Sequence, residues 1–169
     1  VCMVPVFVVF MLWNGLGSSA KYVAAVIFIL ASMTDWLDGY LARKNNLVTD
    51  FGKFMDPIAD KLLVCSAMIC LVEKGALPAW IVIIIIGREF IISGFRLVAS
   101  DKGVVIAASY WGKFKTVFQM AMVIVLIMDL GGAFDVIGQA LIWISLALTI
   151  ISLIDYVAKN IQVLTNGGM

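Results

Sequence analysis

The stretch Asp35-Trp36-Leu37-Asp38-Gly39-Tyr40-Leu41-Ala42-Arg43, completed by Gly52-Lys53-Phe54-Met55-Asp56-Pro57-Ile58-Ala59-Asp60, decides how this chain is read. These two segments carry four carboxylates, Asp35, Asp38, Asp56 and Asp60, with apolar sequence on either side. On a helix, spacings of three and four put Asp35 with Asp38, and Asp56 with Asp60, one turn apart on a shared face. A carboxylate at mid-membrane costs roughly 2.5–3.5 kcal/mol on insertion scales. Four of them would cost on the order of 10 kcal/mol, comparable to the whole stability of a domain. Converging carboxylates need a cation, and a site built only from oxygen ligands favours magnesium or manganese over zinc or copper. Two such ions about 4 Å apart are a recurring arrangement for displacement at phosphorus. Gly39, Ala42 and Gly52 lack bulk where a ligand or a second helix must approach, and Arg43 offers a planar fork to phosphate oxygens. Pro57 predicts either the start of a helix or a kink, because it cannot donate to the carbonyl of Lys53.

The surroundings define the solvent. The chain is 169 residues long, 63% hydrophobic, with a net charge of +1 and a mean hydropathy of +1.09. That composition indicates an all-α integral membrane protein. The near-neutral charge gives no field suited to nucleic acid, so no nucleic-acid partner is expected. There is no histidine, which excludes a Ser-His-Asp triad and histidine-based metal sites. Cys2, Cys65 and Cys70 sit in apolar runs and read as small hydrophobes rather than a disulfide framework.

Polar punctuation divides the chain into six expected spans in one unit, residues 1–169: Val1 to Trp13, about Lys21 to Ala42, Phe51 to Leu71, Pro78 to Ser100, Trp111 to Asp129, and Val136 to Ala158. The first apolar run rises only about 20 Å against a hydrocarbon core of about 30 Å, so that span reads as truncated. Arg43, Lys44, Lys102, Lys113, Lys115 and Lys159 gather on one side, opposite Lys21 and Lys74. The richer side is expected to be cytoplasmic, with all four motif aspartates near it. Trp13, Trp80 and Trp111 lie near span ends, as an interfacial belt would. Asp129 and Asp135 flank the outer turn as solvated charges, while Asp155 is open between helix packing and support of the site.

The pattern Asp35-x2-Asp38-Gly39-x2-Ala42-Arg43-x8-Gly52-x3-Asp56-x3-Asp60 matches, without gap or substitution, the signature of the CDP-alcohol phosphotransferase family. This resemblance implies six membrane helices, usually a homodimer, and a metal-dependent reaction in which a CDP-activated alcohol meets a second alcohol and CMP leaves. It implies that Asp35, Asp38 and Asp56 ligate metal, as two Mg2+ or Mn2+ ions. It implies that Asp60 both approaches the metal and takes the proton of the attacking hydroxyl. Asp38, Gly39, Ala42, Arg43 and Gly52 then form the CDP cradle. The resemblance also implies an N-terminal amphipathic segment, with a Pro-Asn and a Thr-x-x-Arg pattern, ahead of the first apolar run.

The second half narrows the acceptor. Arg88 and Arg96 are eight residues apart, on nearly one helical face. Lys113 and Lys115 open the fifth span. An arginine inside a membrane asks for a functional partner, and four cations near a metal site suit a small phosphorylated alcohol. Taken singly, Arg88 can instead pair with Glu89 or Asp155, and the two lysines can snorkel to lipid headgroups. The runs Arg88-Glu89-Phe90, Gly94-Phe95-Arg96-Leu97 and Gly112-Lys113-Phe114-Lys115-Thr116 resemble one bacterial branch of the family. That likeness implies CDP-diacylglycerol as donor and sn-glycerol 3-phosphate as acceptor, with these four cations on the acceptor phosphate. It also implies a multi-pass protein among the lipids of the inner (plasma) membrane, its site facing the cytoplasm. Two alternatives stay open: another acceptor (phosphatidylglycerol, serine or inositol phosphate), and a divalent-cation transporter, against which an arginine beside the cation path argues.

Overall fold

The computed structural model describes residues 3–12, 19–44, 50–101 and 110–165, without the side chains of 35–36, 38–60, 97–98, 100–101 and 161–165. Among the described residues there are six helices and no strand: α1 (Met3–Leu12), α2 (Ser19–Lys44), α3 (Asp50–Glu73), α4 (Ala79–Asp101), α5 (Tyr110–Met128) and α6 (Ala133–Thr165). Each expected apolar segment is a helix, and α6 runs further than its apolar stretch suggests. Pro57 lies inside α3, which begins seven residues earlier at Asp50.

Local chemistry sets the boundaries. α3 ends because Gly75 takes a left-handed φ of 72°. Its N–H then reaches the Val72 carbonyl at 2.9 Å, and the Ala76 N–H reaches Leu71 at 2.9 Å. This paired arrangement satisfies carbonyls that the helix end would otherwise orphan. Pro78 precedes α4, and its carbonyl accepts from Ile81 at 3.1 Å. α5 stops at Asp129, Gly131 and Gly132, all with positive φ. The Lys21 ammonium donates to the Asp129 carbonyl at 2.7 Å and lies 3.6 Å from its carboxylate. A cation is well placed at a helix C-terminus. Asp129 is exposed, as the sequence suggested, yet it carries this ion pair.

α1 packs on α2 and α3, α5 on α2, α3 and α6, and α4 on α3 and α6. Phe7, Phe28, Met68, Leu71, Ile85, Met122 and Ile142 meet in the core. The distribution of polarity around it is inverted relative to a water-soluble bundle. Arg88, Lys115, Gln119, Thr149 and Ser152 are buried, whereas Phe90 is 72% and Ile83 70% exposed. Hydrocarbon outside the bundle imposes no penalty on the outer residues and a large one on exposed charge. Two helical stretches, Tyr110–Met128 and Ala133–Asn160, are long and apolar enough by themselves to cross a bilayer. Charged residues interrupt the apolar windows of α2, α3 and α4. Trp80 and Trp111 are both well exposed near helix starts, and Trp80 packs against Trp143 with centroids 6.2 Å apart.

Candidate functional site: a cationic cavity beside the aspartate motif

Asp35 and Asp38 lie in the later part of α2, Asp56 and Asp60 in the first half of α3, and the two helices pack on each other. Gly39, Ala42 and Arg43 follow on α2, and Gly52 precedes on α3. The side chains of these eight motif residues lie outside the described ones. The backbone path nonetheless keeps both aspartate pairs on neighbouring helices, and an all-carboxylate donor set suits a hard divalent ion. Among the described residues no group of three His, Cys, Asp or Glu side chains comes together.

One residue beyond Asp60 the described site begins. A cavity of about 280 Å³ is walled by α3, α4, α5 and α6. Lys61 and Cys65 enter from α3, Arg88, Glu89 and Arg96 from α4, Lys113, Lys115 and Gln119 from α5, and Tyr156 from α6. Helical periodicity explains the selection: Arg88, Ile92 and Arg96 stand four apart, as do Lys61 with Cys65 and Lys115 with Gln119. Arg88, Arg96, Lys113 and Lys115, picked out from sequence, therefore border one volume. They are not equivalent. Lys115 is 2% and Arg88 8% exposed, while Lys113 and Arg96 are exposed. Burial removes headgroup snorkelling as an account of Lys115.

Glu89 organises the buried cations. Its Oε1 accepts from Lys115 Nζ at 2.5 Å and from Arg88 Nη1 at 2.8 Å, and its Oε2 lies 3.6 Å from Lys61 Nζ. The Arg88–Glu89 pair considered from sequence is thus present, but as one edge of a network. Arg88 Nε also donates to Ser152 Oγ at 3.1 Å, and Ser152 Oγ donates to the Thr149 carbonyl at 3.0 Å. Lys61 hydrogen-bonds the Ser93 hydroxyl, which in turn donates to the Glu89 carbonyl at 2.6 Å. Gly112 leaves room for the guanidinium, since a Cβ there would stand 3.3 Å from Arg88 Nη2. Five cations against one carboxylate leave the described lining with a net charge of +4. The volume is at the low end for small-molecule sites, roughly 300–1,000 Å³. Size and charge together fit a compact anion.

Sequence reasoning missed Lys61, the organising part of Glu89, and Tyr156. Lys61 carried a signal, being a cation directly after the motif's last aspartate. Tyr156 carried none, because nothing in α6 indicates which of its faces meets α4. Asp155 pairs with Lys159 at 2.6 Å on its own helix. Cys70 is buried and Cys65 half-buried, both as free thiols.

The family model for CDP-alcohol phosphatidyltransferase matches residues 1–151. The chain is 43% identical to a CDP-diacylglycerol–glycerol-3-phosphate 3-phosphatidyltransferase of Bacillus subtilis, across 97% of this chain and 92% of the relative. It is 39% identical to the protein of the same name from Rickettsia typhi, across 92% of this chain and 89% of the relative. It is 40% identical to a probable phosphatidylglycerophosphate synthase of Mycobacterium tuberculosis, across 95% of this chain and 77% of the relative.

Proposed function

This chain belongs to the CDP-alcohol phosphatidyltransferase family, and on that premise we propose that it makes phosphatidylglycerophosphate. It transfers the phosphatidyl group of CDP-diacylglycerol to sn-glycerol 3-phosphate and releases CMP. The observation that carries this reading is the cationic cavity next to the aspartate motif. Arg88, Arg96, Lys113 and Lys115, joined by Lys61, hold the acceptor phosphate there, where a neutral acceptor such as serine would leave the net charge of +4 unanswered.

Asp35, Asp38, Asp56 and Asp60 would hold the divalent ions, Mg2+ or Mn2+, which would supply charge to neutralise the diphosphate of the donor. Gly39, Ala42, Arg43 and Gly52, with Asp38, cradle the cytidine diphosphate. The free primary hydroxyl of the acceptor attacks the phosphorus that carries diacylglycerol. Asp60 takes the hydroxyl proton. The bond from that phosphorus to the CMP oxygen breaks, and CMP leaves with the electron pair. Lys61 follows Asp60 in the chain, so one segment of α3 serves both the proton transfer and the acceptor phosphate. The burial of Arg88 and Lys115 strengthens their hold on an anion.

Six helices span the bilayer as a single unit, and the lipid tails of donor and product stay in hydrocarbon. The site opens to the cytoplasmic face of the plasma membrane, in accord with Arg43 and Lys44 at the end of α2, Lys102 beyond α4, and Lys113 and Lys115 at the start of α5. The protein acts as a homodimer, as the family resemblance implies.

The test is CMP release from CDP-diacylglycerol in detergent with Mg2+, with and without glycerol 3-phosphate. Release should require both acceptor and metal, and should fall by at least about 100-fold in Asp60→Asn. Turnover that survives chelation, or that Asp60→Asn leaves unchanged, refutes the mechanism. Preference for serine or inositol over phosphorylated acceptors refutes the acceptor assignment.

A further inference from the structure

Tyr156 is the anomaly of the cavity wall. It is 2% exposed and lies in the wall beside the five cations. Its hydroxyl is buried and has no hydrogen-bond partner among the described residues. Its ring is fixed, edge-on to Phe95 with centroids 6.1 Å apart. It sits one helical turn from Ser152, which anchors Arg88. A buried hydroxyl without a partner is destabilising, and phenylalanine would fill the same space without that penalty. Because Tyr156 lines the cavity, an occupant of the cavity can supply that partner.

The chemistry of the wall indicates which part of a ligand that partner is. Lysine and arginine only donate hydrogen bonds, which suits phosphate oxygens. A ligand hydroxyl also needs a neutral group that both donates and accepts, as a phenol does. We propose that Tyr156 is a specificity residue that hydrogen-bonds the polyol portion of a small phosphorylated polyol whose phosphate is held by the cations. This deepens the proposed function and rests on it. The residue distinguishes a phosphorylated polyol from bare phosphate, because a site built around a ligand hydroxyl discriminates against ligands that lack one.

The test compares wild type with Tyr156→Phe in detergent with Mg2+. Thermal unfolding is followed against inorganic phosphate and against glycerol 3-phosphate, and KM and kcat are measured. Without ligand the variant should unfold at the wild-type temperature or above it. Inorganic phosphate should stabilise both proteins alike. The additional stabilisation by glycerol 3-phosphate should shrink in the variant, with its KM raised about tenfold. The KM for CDP-diacylglycerol and kcat should change by less than about twofold. An unchanged KM for glycerol 3-phosphate, with wild type responding normally, overturns the assignment and leaves the hydroxyl satisfied by water alone. Loss of the phosphate response as well overturns the polyol assignment. A wild type that neither binds nor turns over glycerol 3-phosphate refutes the proposed function, and this inference with it.

Discussion

Replacing Glu89 by glutamine separates the two tasks of the cationic cluster. The carboxylate holds Lys115 at 2.5 Å, Arg88 at 2.8 Å and Lys61 at 3.6 Å. Each contact is worth about 4 kcal/mol at 4 Å and an effective dielectric of 20, before desolvation is counted. Breaking a buried pair by removing one partner costs roughly 3–5 kcal/mol. Glutamine retains a neutral acceptor in the same place and recovers about 1 kcal/mol of hydrogen bonding. The net loss should therefore be about 2–4 kcal/mol. For a chain of this length that lowers the unfolding midpoint by on the order of 10 °C. Phosphate binding should move the other way. In the wild type an incoming anion shares Lys115 and Arg88 with Glu89, and in the variant it does not. Inorganic phosphate should then raise the midpoint more in Glu89→Gln than in wild type, recovering part of the loss. Differential scanning fluorimetry in detergent across a phosphate series measures both effects. A variant that unfolds at the wild-type temperature would refute the claim that this carboxylate organises the cluster. A phosphate response equal to wild type would refute the idea that it competes with the ligand.

Two further outcomes follow from the same geometry. Lys115→Met removes a buried cation and leaves Glu89 with Arg88 and Lys61, so the KM for glycerol 3-phosphate should rise by roughly 10–100-fold. Steady-state kinetics with each substrate varied should show little change in the KM for CDP-diacylglycerol, and an equal loss on both would contradict the placement. Gly112→Ala puts a methyl group 3.3 Å from Arg88 Nη2, which requires the guanidinium to shift by a few tenths of an ångström. A rise in the acceptor KM of about threefold to tenfold is expected, with stability within about 1 kcal/mol of wild type. An unaltered KM would mean that Arg88 tolerates the displacement.

Much of this molecule is written locally. The apolar segments lie between Gly-, Pro- and charge-rich breaks, so their helices could be placed from the sequence, and Gly75 and Gly131-Gly132 end helices where a positive φ is required. The aspartate spacing is also a local fact, since intervals of three and four mean one face of one helix whatever surrounds it. Arg88 and Arg96 shared a face for the same reason. The two lysines of α5 were less legible. Two residues apart, Lys113 and Lys115 point in different directions around a helix, yet sequence alone could not say which turned inward.

The amino-acid order by itself determined six helices, a membrane-type composition and an acidic motif with basic companions downstream, because propensity, hydropathy and helical spacing act over a few residues. Only tertiary packing decided that Lys61, Glu89, Lys115 and Tyr156, drawn from four helices, border one cavity. Those groups are separated by up to 95 positions, from Lys61 to Tyr156. Their meeting depends on how each helix is rotated against its neighbours. That rotation is fixed by side-chain interdigitation across the whole bundle, to which no single segment holds the key.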